Sequence, residues 1–487
     1  MHLRAQNVLD GLAPVWPDDL LPAIRKQVAR RNESVVVLDD DPTGTQTVHD
    51  VPILTGWDAD VLSAEFERAT PLFYVLTNSR SLPRTQAKKL AEEIGRNLQQ
   101  ASQQTGRRFV VISRSDSTLR GHYPAEVDAL AQALGKESAV CVIIPFFKEG
   151  GRLTINDVHH VLEDDMLVPA AETPFARDPV FGYKHSDLKD WVQEKTQGRV
   201  PRSSVVSLSL DDIRKGGPEK VTEILLQCFP GNVCVVNATE YRDLEVVTAG
   251  LLTAEQRGKE FIYRTAASFV PVRAGMSLDP LLSPQELEAR GEGGALIIVG
   301  SYVPKSSMQL KHLIDNTHAE HIELSVQRVL SHEGSRRVGS QSRAKEITTA
   351  IEHIENALSR ARDIVIYTSR ELVSKELTAE GRATTGGEEA NLSKGQQISR
   401  SLVQIVQGVK TRPRYILAKG GITSSDIATQ GLQIRRARVL GQILPGVPVW
   451  RTDERSRFPG VPYIVFPGNV GGPDALTKIV NMLSDEA

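Results

Sequence analysis

Short apolar, mostly β-branched runs recur along the chain, each followed by a polar turn and then a stretch with helical spacing. The runs Ser34–Leu38, Leu72–Leu76, Phe109–Ile112, Ala139–Ile144, Val233–Val236, Ala295–Val299, Ile364–Tyr367, Tyr415–Ala418 and Tyr463–Phe466 read as strands. They lack the apolar–polar alternation of a strand wetted on one face, so both faces are expected to be covered. Between them, Ala87, Leu90, Ala91, Ile94 and Leu98 fall on one helical face, as do Val127, Leu130, Ala131 and Leu134. Leu476, Ile479, Val480 and Leu483 repeat that spacing near the end of the sequence. The pattern predicts an α/β protein built of mainly parallel sheets flanked by helices.

The segment Val272 to Gly294 is rich in Gly, Pro and charge, and a fresh strand follows it. It places one α/β domain over residues 1–275, a linker over 276–293 and a second domain over 294–487. A length of 487 residues agrees with two cores rather than one. The stretch 383–395, "ATTGGEEANLSKG", reads as a polar loop before a helix.

Composition narrows the class. The chain is 40% hydrophobic and 24% charged, the balance of a globular protein, and its formal charge of −2 shows no basic stripe for nucleic acid. No run approaches the roughly 18 apolar residues of a membrane span. The start, "MHLRAQNVLDGLAPVW", lacks the apolar core of a signal peptide. Cys141, Cys228 and Cys234 are odd in number, and two lie in apolar runs, which suggests buried thiols in a reducing cytoplasm. The expectation is a cytoplasmic enzyme with neither a membrane nor a nucleic-acid partner.

The richest chemistry lies in "SVVVLDDDPTGTQTVHD", residues 34–50, where a strand runs into Asp39, Asp40 and Asp41. Asp39–Thr43 fits Asp-x-Asp-x-Thr and resembles the first motif of haloacid-dehalogenase-type phosphatases. Thr77 would then stand for the second motif and Glu163-Asp164-Asp165 for the acidic fourth. That reading leaves the second half of the chain unexplained. The stretch "VISRSDSTLRGHYPAEVDAL", residues 111–130, points elsewhere. Its strand ends in a turn carrying Arg114, Ser115, Asp116, Ser117, Thr118 and Arg120, at the place where α/β domains bind ligands. Arg114 and Arg120 could hold a carboxylate in bidentate pairs, Asp116 could accept a hydroxyl proton, and "TNSRSLP" adds Arg80. The alternative is that these arginines pair with Asp39–Asp41 across the strand ends.

"DDPTG" (Asp40–Gly44), "TNSR" (Thr77–Arg80) and "SDSTLRG" (Ser115–Gly121), in that order, resemble the N-terminal domain of the four-carbon acid sugar kinase family, formerly a domain of unknown function. The resemblance spans most of the chain. It implies an ATP-dependent kinase for a tetronate, 3-oxo-tetronate or related acid sugar, with the active site in the cleft between two domains. Ser113-Arg114-Ser115 departs from the family's usual lysine before Asp-Ser-Thr, which bears on the choice of acid. In this reading Arg80 and Arg114 bind the carboxylate, Asp40, Ser115, Asp116 and Ser117 bind the sugar, and Asp41 or Asp116 is the base. Mg²⁺ bridges the phosphates of ATP with few protein ligands, and no metal-binding residue is assigned. A homodimer is kept open.

Three Gly-bearing turns follow strands in the second half: Gly300-Ser301, Gly420-Gly421 with Thr423, and Gly468-Asn469-Val470-Gly471-Gly472. Such turns at helix starts offer N–H groups to an anion. By the resemblance, Ser301, Gly420, Gly421, Thr423, Gly468, Asn469, Val470 and Gly471 contact the nucleotide. Lys419 either reaches a phosphate or is a solvated strand-end lysine. His159 and His160 are expected on a helix surface or between domains, and His122 near substrate or in a cap. Two rivals stand beside the kinase: a phosphatase using Asp39 and Asp41, and a non-catalytic sugar-acid-binding regulator.

Overall fold

A computed structural model describes residues 3–277, 280–287, 293–301, 304–330, 336–369, 387–468 and 470–484. The chain divides into two compact units, residues 1–279 and 280–487.

In the first unit, eight described strands form a wholly parallel sheet. Their order is Val206–Leu208, Val233–Val236, Val140–Ile144, Phe261–Thr265, Arg108–Arg114, Glu33–Asp39, Leu72–Leu76 and Val51–Leu54. The central Glu33–Asp39 strand is buried along its whole length, as its lack of alternation predicts. Helix Arg84–Thr105 turns Ala87, Ala91, Ile94, Leu98 and Ala101 into the core and stops at Gly106, whose φ of 70° suits a helix C-terminus. A second, antiparallel sheet joins Leu3–Arg4, Met166–Pro169, Val158–Glu163 and Arg152–Ile155.

The second unit has five parallel described strands, in the order Glu320–Leu324, Ile364–Thr368, Leu296–Val299, Ile416–Lys419 and Pro462–Phe466. An antiparallel hairpin, Arg436–Leu444 with Val447–Thr452, continues the sheet beside Pro462–Phe466. Helix Ala475–Leu483 buries Leu476, Ile479, Val480 and Leu483 against this sheet's core.

All nine expected strands are present, and the α/β architecture is as the pattern implies. Residues 280–287 belong to the second unit rather than to a free linker: Leu282 N–H donates to the Gln442 carbonyl, and Leu287 is fully buried. The expected polar loop at 383–395 is helical from Gly387, as part of helix Gly387–Gly408; residues 383–386 lie outside the described residues. "DVHHVL" is a strand, not a helix surface. The period of two sends His159 fully inward and leaves His160 half-buried.

Candidate active site

Three adjacent parallel strands of the first unit, Arg108–Arg114, Glu33–Asp39 and Leu72–Leu76, end side by side, and their ends and turns carry the charged cluster. Asp39 faces Arg114 in register across the ladder, and the amide and hydroxyl of Thr77 both donate to the Asp39 carbonyl at 2.9 Å. Arg114 Nη1 donates to Asp39 Oδ1 at 2.8 Å and lies 3.7 Å from Asp40 Oδ1. Ser115 donates through its hydroxyl to Asp40 Oδ2 at 2.5 Å. Asp41 opens the short helix Pro42–Thr47, accepting from the Thr43 amide at 2.8 Å, and takes Arg80 Nη2 at 2.5 Å on its other oxygen. Arg80 Nη1 reaches Asp116 Oδ1 at 3.1 Å, while Asp116 Oδ2 accepts from Arg120 Nε at 2.9 Å and from the Thr118 hydroxyl. Arg120 continues to Asp178 at 3.5 Å.

Depth divides this network. Asp39, Asp40 and Arg114 side chains are at most 5% exposed, whereas Asp41, Arg80, Asp116 and Arg120 keep 13–22%. The second group is the part a solute can reach. The protonation states follow the same division. Burial, reinforced by Asp40 and Asp41 and opposed by Arg114, pushes the Asp39 carboxyl up to about 7. Burial would also raise Asp116, yet Arg120, Arg80 and the Thr118 hydroxyl hold it well below the usual carboxylate range. Asp41 is lowered in the same way by Arg80 and Thr43, against burial.

Two glycines are demanded by this packing. A Cβ on Gly44 would sit 2.2 Å from both Asp39 carboxylate oxygens, so the Pro-Thr-Gly turn closes directly over that acid. Gly121, at φ 116°, would press a Cβ to 2.6 Å from the Ser115 hydroxyl. Behind the cluster lies a cavity of about 20 Å³, room for one water, lined by Asp40, Thr77, Ser79, Arg114 and Glu126 among others. Burial and Asp40 raise the Glu126 carboxyl to about 7, opposed by its bond with Ser79.

These contacts revise several expectations. Arg80 and Arg114 are both paired with aspartates, as the cross-strand alternative has it; Arg114 is buried, while Arg80 stays partly exposed. Ser115 is buried and holds Asp40, and the Ser117 carbonyl accepts from His159 Nε2 at 2.7 Å. His159 is a fully buried brace, with Nδ1 taking the Thr154 hydroxyl at 2.9 Å; burial lowers it to about 3, so it is neutral. His122 ties the two turns together through the Ser79 and Leu82 carbonyls. Asp39, sealed under Gly44, is not placed to attack a phosphoryl group. Thr77 braces a backbone carbonyl, and Glu163, Asp164 and Asp165 form an exposed hairpin turn of the other sheet. Among the described residues no cluster of three or more His, Cys, Asp or Glu fits a metal ion. No described helix is long and apolar enough to cross a membrane.

In the second unit the three Gly-bearing turns follow adjacent strands and touch one another. The Ser301 amide donates to the Lys419 carbonyl at 3.3 Å, and Ser306 bridges the Ser301 hydroxyl and the Gly468 carbonyl at 3.0 and 3.3 Å. Gln309 Nε2 donates to the carbonyls of Val470, Gly471 and Gly472 at 2.8–3.3 Å. A Cβ on Gly300 would lie 2.2 Å from the Thr423 hydroxyl; on Gly420, at φ 113°, 3.0 Å from Ser301 Cβ; and on Gly471, at φ 80°, 2.5 Å from Ala475. Gly421 starts the short helix Gly421–Asp426. Asn469 lies outside the described residues. Lys419 is neither solvated nor extended toward a ligand. Fully buried, it donates to the Pro467 carbonyl at 3.0 Å and lies 3.8 Å over the Phe466 ring.

Comparison with known proteins places both halves. A model described as a sugar-binding N-terminal domain matches residues 35–273, and one described as a nucleotide-binding C-terminal domain matches residues 296–476. The chain belongs to the four-carbon acid sugar kinase family. Within reach of this family, a D-erythronate kinase of Heliobacterium modesticaldum is 26% identical over 215 residues. That match covers 42% of this chain and 43% of the relative, so less than half of the relative's length is spanned. Two crystal structures share the fold. A Salmonella typhimurium LT2 protein, provisionally described as a tRNA synthase, is 19% identical with a TM-score of 0.63 over 92% of this chain and 98% of that one. A Haemophilus influenzae protein assigned to family DUF1537 is 17% identical with a TM-score of 0.58 over 92% of this chain and all of the other.

Proposed function

We propose that this protein is an ATP-dependent kinase that phosphorylates a terminal hydroxyl of a short acid sugar, a tetronate or 3-oxo-tetronate. One observation carries the reading: the solvent-reachable part of the strand-end cluster, Asp41, Arg80, Asp116 and Arg120, matches the polarity of a polyhydroxy acid. The D-erythronate kinase name of the partial relative supports the same substrate class. Asp41 orients the attacking hydroxyl and accepts its proton late in the transfer. Asp116, held further below its ordinary range, is the weaker acceptor and anchors Arg80 and Arg120 instead. Asp40, Arg114 and Ser115 support these groups from beneath, and the Ser117 turn lines the sugar.

In the second unit, the turns with Ser301, Gly420, Gly421, Thr423, Gly468, Val470 and Gly471 would hold ATP, which supplies the phosphoryl group. The glycines there let the three turns pack against one another, since a Cβ at Gly300, Gly420 or Gly471 would collide with Thr423, Ser301 or Ala475, and Gly-bearing turns at helix starts suit an anion. The described side chains offer no metal cage, so no step is assigned to Mg²⁺. Phosphoryl transfer asks mainly for positioning and charge neutralisation, and Arg80 and Arg120 provide fixed positive charge at the acceptor.

The test is ADP production from Mg·ATP across tetronates, 3-oxo-tetronates and branched acid sugars, repeated with Asp41→Asn and Asp116→Asn. Turnover that requires one acid and collapses in Asp41→Asn supports the kinase. Phosphate release from simple phosphomonoesters with no acid present would restore the phosphatase, and acid binding with no turnover would favour a regulator.

A further inference from the structure

Beside the charged cluster, two described arginines, Arg152 and Arg264, stand outside its ion pairs. Arg80 is shared by Asp41 and Asp116, Arg114 by Asp39 and Asp40, and Arg120 by Asp116 and Asp178. Arg152, at the start of strand Arg152–Ile155, has no carboxylate within ion-pair distance among the described residues. Its Nη1 donates to the nearby Gly150 carbonyl, and its Nε is buried with no hydrogen-bond partner. Arg152 nevertheless stands beside the site. Its Cζ lies 5.7 Å from the centroid of the Phe175 ring, and Arg120 Cζ lies 5.2 Å from the same centroid. One ring thus carries two arginines, of which only Arg120 is neutralised.

A half-buried guanidinium with no counter-ion is costly unless a ligand supplies one. Burial pulls Arg152 below its ordinary range, reinforced by Arg120 and opposed by the fields of Asp116 and, more weakly, Glu163, neither of which is within ion-pair distance. Arg264, the other arginine near the cluster without an ion pair, is a poorer candidate: it is 3% exposed and its Nη2 is spent on the Arg120 carbonyl at 2.8 Å. Contact with the Phe175 ring holds the Arg152 guanidinium beside that of Arg120, and a planar guanidinium suits carboxylate recognition.

We propose that Arg152, lying over the Phe175 ring beside Arg120, binds the carboxylate of the acid sugar and makes the site prefer an acid to the corresponding neutral polyol. This rests on the acid-sugar reading of the site but not on catalysis. It moves the carboxylate away from Arg80 and Arg114, whose charges the aspartates already take up.

Equilibrium binding without nucleotide tests it, by NMR titration of D-erythronate, D-threonate and L-threonate against erythritol and threitol. The wild type is expected to prefer at least one acid over its alditol. Arg152→Gln should weaken that acid tenfold or more and erase the preference, while Arg152→Lys, which keeps the charge without the fork, should fall between. Arg177→Gln, the same charge change on the exposed side of the Phe175 segment, should bind as the wild type does. Acid affinity within twofold of wild type in Arg152→Gln, or no acid preferred by the wild type, overturns the assignment. Arg152-dependent binding without ATP turnover would instead defeat the kinase reading alone. Turnover with an acid KM indifferent to Arg152 would defeat this inference alone.

Discussion

At the strand ends of the first unit, Asp39, Asp40, Asp41 and Asp116 meet Arg80, Arg114 and Arg120, so the contacts that shape the site are between charged side chains. At the strand ends of the second unit stand Gly300, Gly420 and Gly471, and the side chains of Ser306, Gln309 and Lys419 bond there to backbone carbonyls. One surface is specified by what side chains present, the other by what they leave out. Substitutions should therefore fail differently: a charge removed from the first site should alter chemistry or acid recognition, while a methyl added to the second should act by displacement.

The largest effect is expected for Asp41→Asn. Asparagine keeps an acceptor for the Thr43 amide but loses the charge facing Arg80 and the capacity to take a proton. Acid-dependent ADP production should fall about 10²–10⁴-fold, the usual range for a lost general base. A loss below tenfold would move the hydroxyl-orienting role away from Asp41.

Gly300→Ala addresses the second unit. Its methyl would meet the Thr423 hydroxyl at 2.2 Å, and overpacking of this kind costs about 1–3 kcal/mol. Melting temperature should drop and the KM for ATP should rise, with acid binding unchanged. Thr423→Ala added to Gly300→Ala should recover part of the loss. If the double variant is no better than the single one, the clash is not with Thr423.

The contrast also accounts for how much the sequence made legible. Strands buried on both faces announce themselves as unbroken apolar runs, so all nine were visible, and the charged turns after them were visible as motifs. The missed elements carry weaker signals. Phe261–Thr265 is interrupted by Arg264, and the Arg152–Glu163 hairpin contains His159, a polar residue whose burial depends on partners distant in sequence. Motif order could indicate that Asp39–Asp41, Arg80 and Arg114 belong together, but not that the arginines would be consumed by the aspartates. Pairing depends on side-chain reach across neighbouring strands. Lys419 illustrates the same limit: a strand-end lysine looks solvated until Phe466 and Pro467 are seen to enclose it.

His159→Ala is expected to have a moderate effect. It would leave the Ser117 carbonyl and the Thr154 hydroxyl without their buried partner, a loss of about 1–3 kcal/mol. Because it acts through the Ser117 turn, the acid KM should rise while the ATP KM stays fixed. Both the stability loss and the KM change should be independent of pH between 5 and 8, since the wild-type imidazole is neutral throughout, lowered to about 3. A change that follows an ordinary histidine titration would show that the ring is wetter than its burial indicates.

The smallest effect concerns the charge the first site carries at neutral pH. Burial and Asp40 raise the Glu126 carboxyl from 4.5 to about 7, so between these values the unfolded chain is ionised while the folded protein keeps the proton. The folded state then binds more protons, and the Glu126 contribution to stability falls as pH rises through that window and levels off above about 7. Glu126→Gln keeps a polar partner for Ser79 and removes the titration. Its melting temperature relative to wild type should climb between pH 4.5 and 7 and be flat outside that range, when followed by thermal unfolding. Asp39 is raised into the same window but is common to both proteins, so its contribution largely cancels from the difference. A flat difference throughout would mean that Glu126 is ionised in the folded protein. The cavity that Glu126 lines together with Arg114 would then hold its negative charge at neutral pH, and burial would not be what governs that carboxyl.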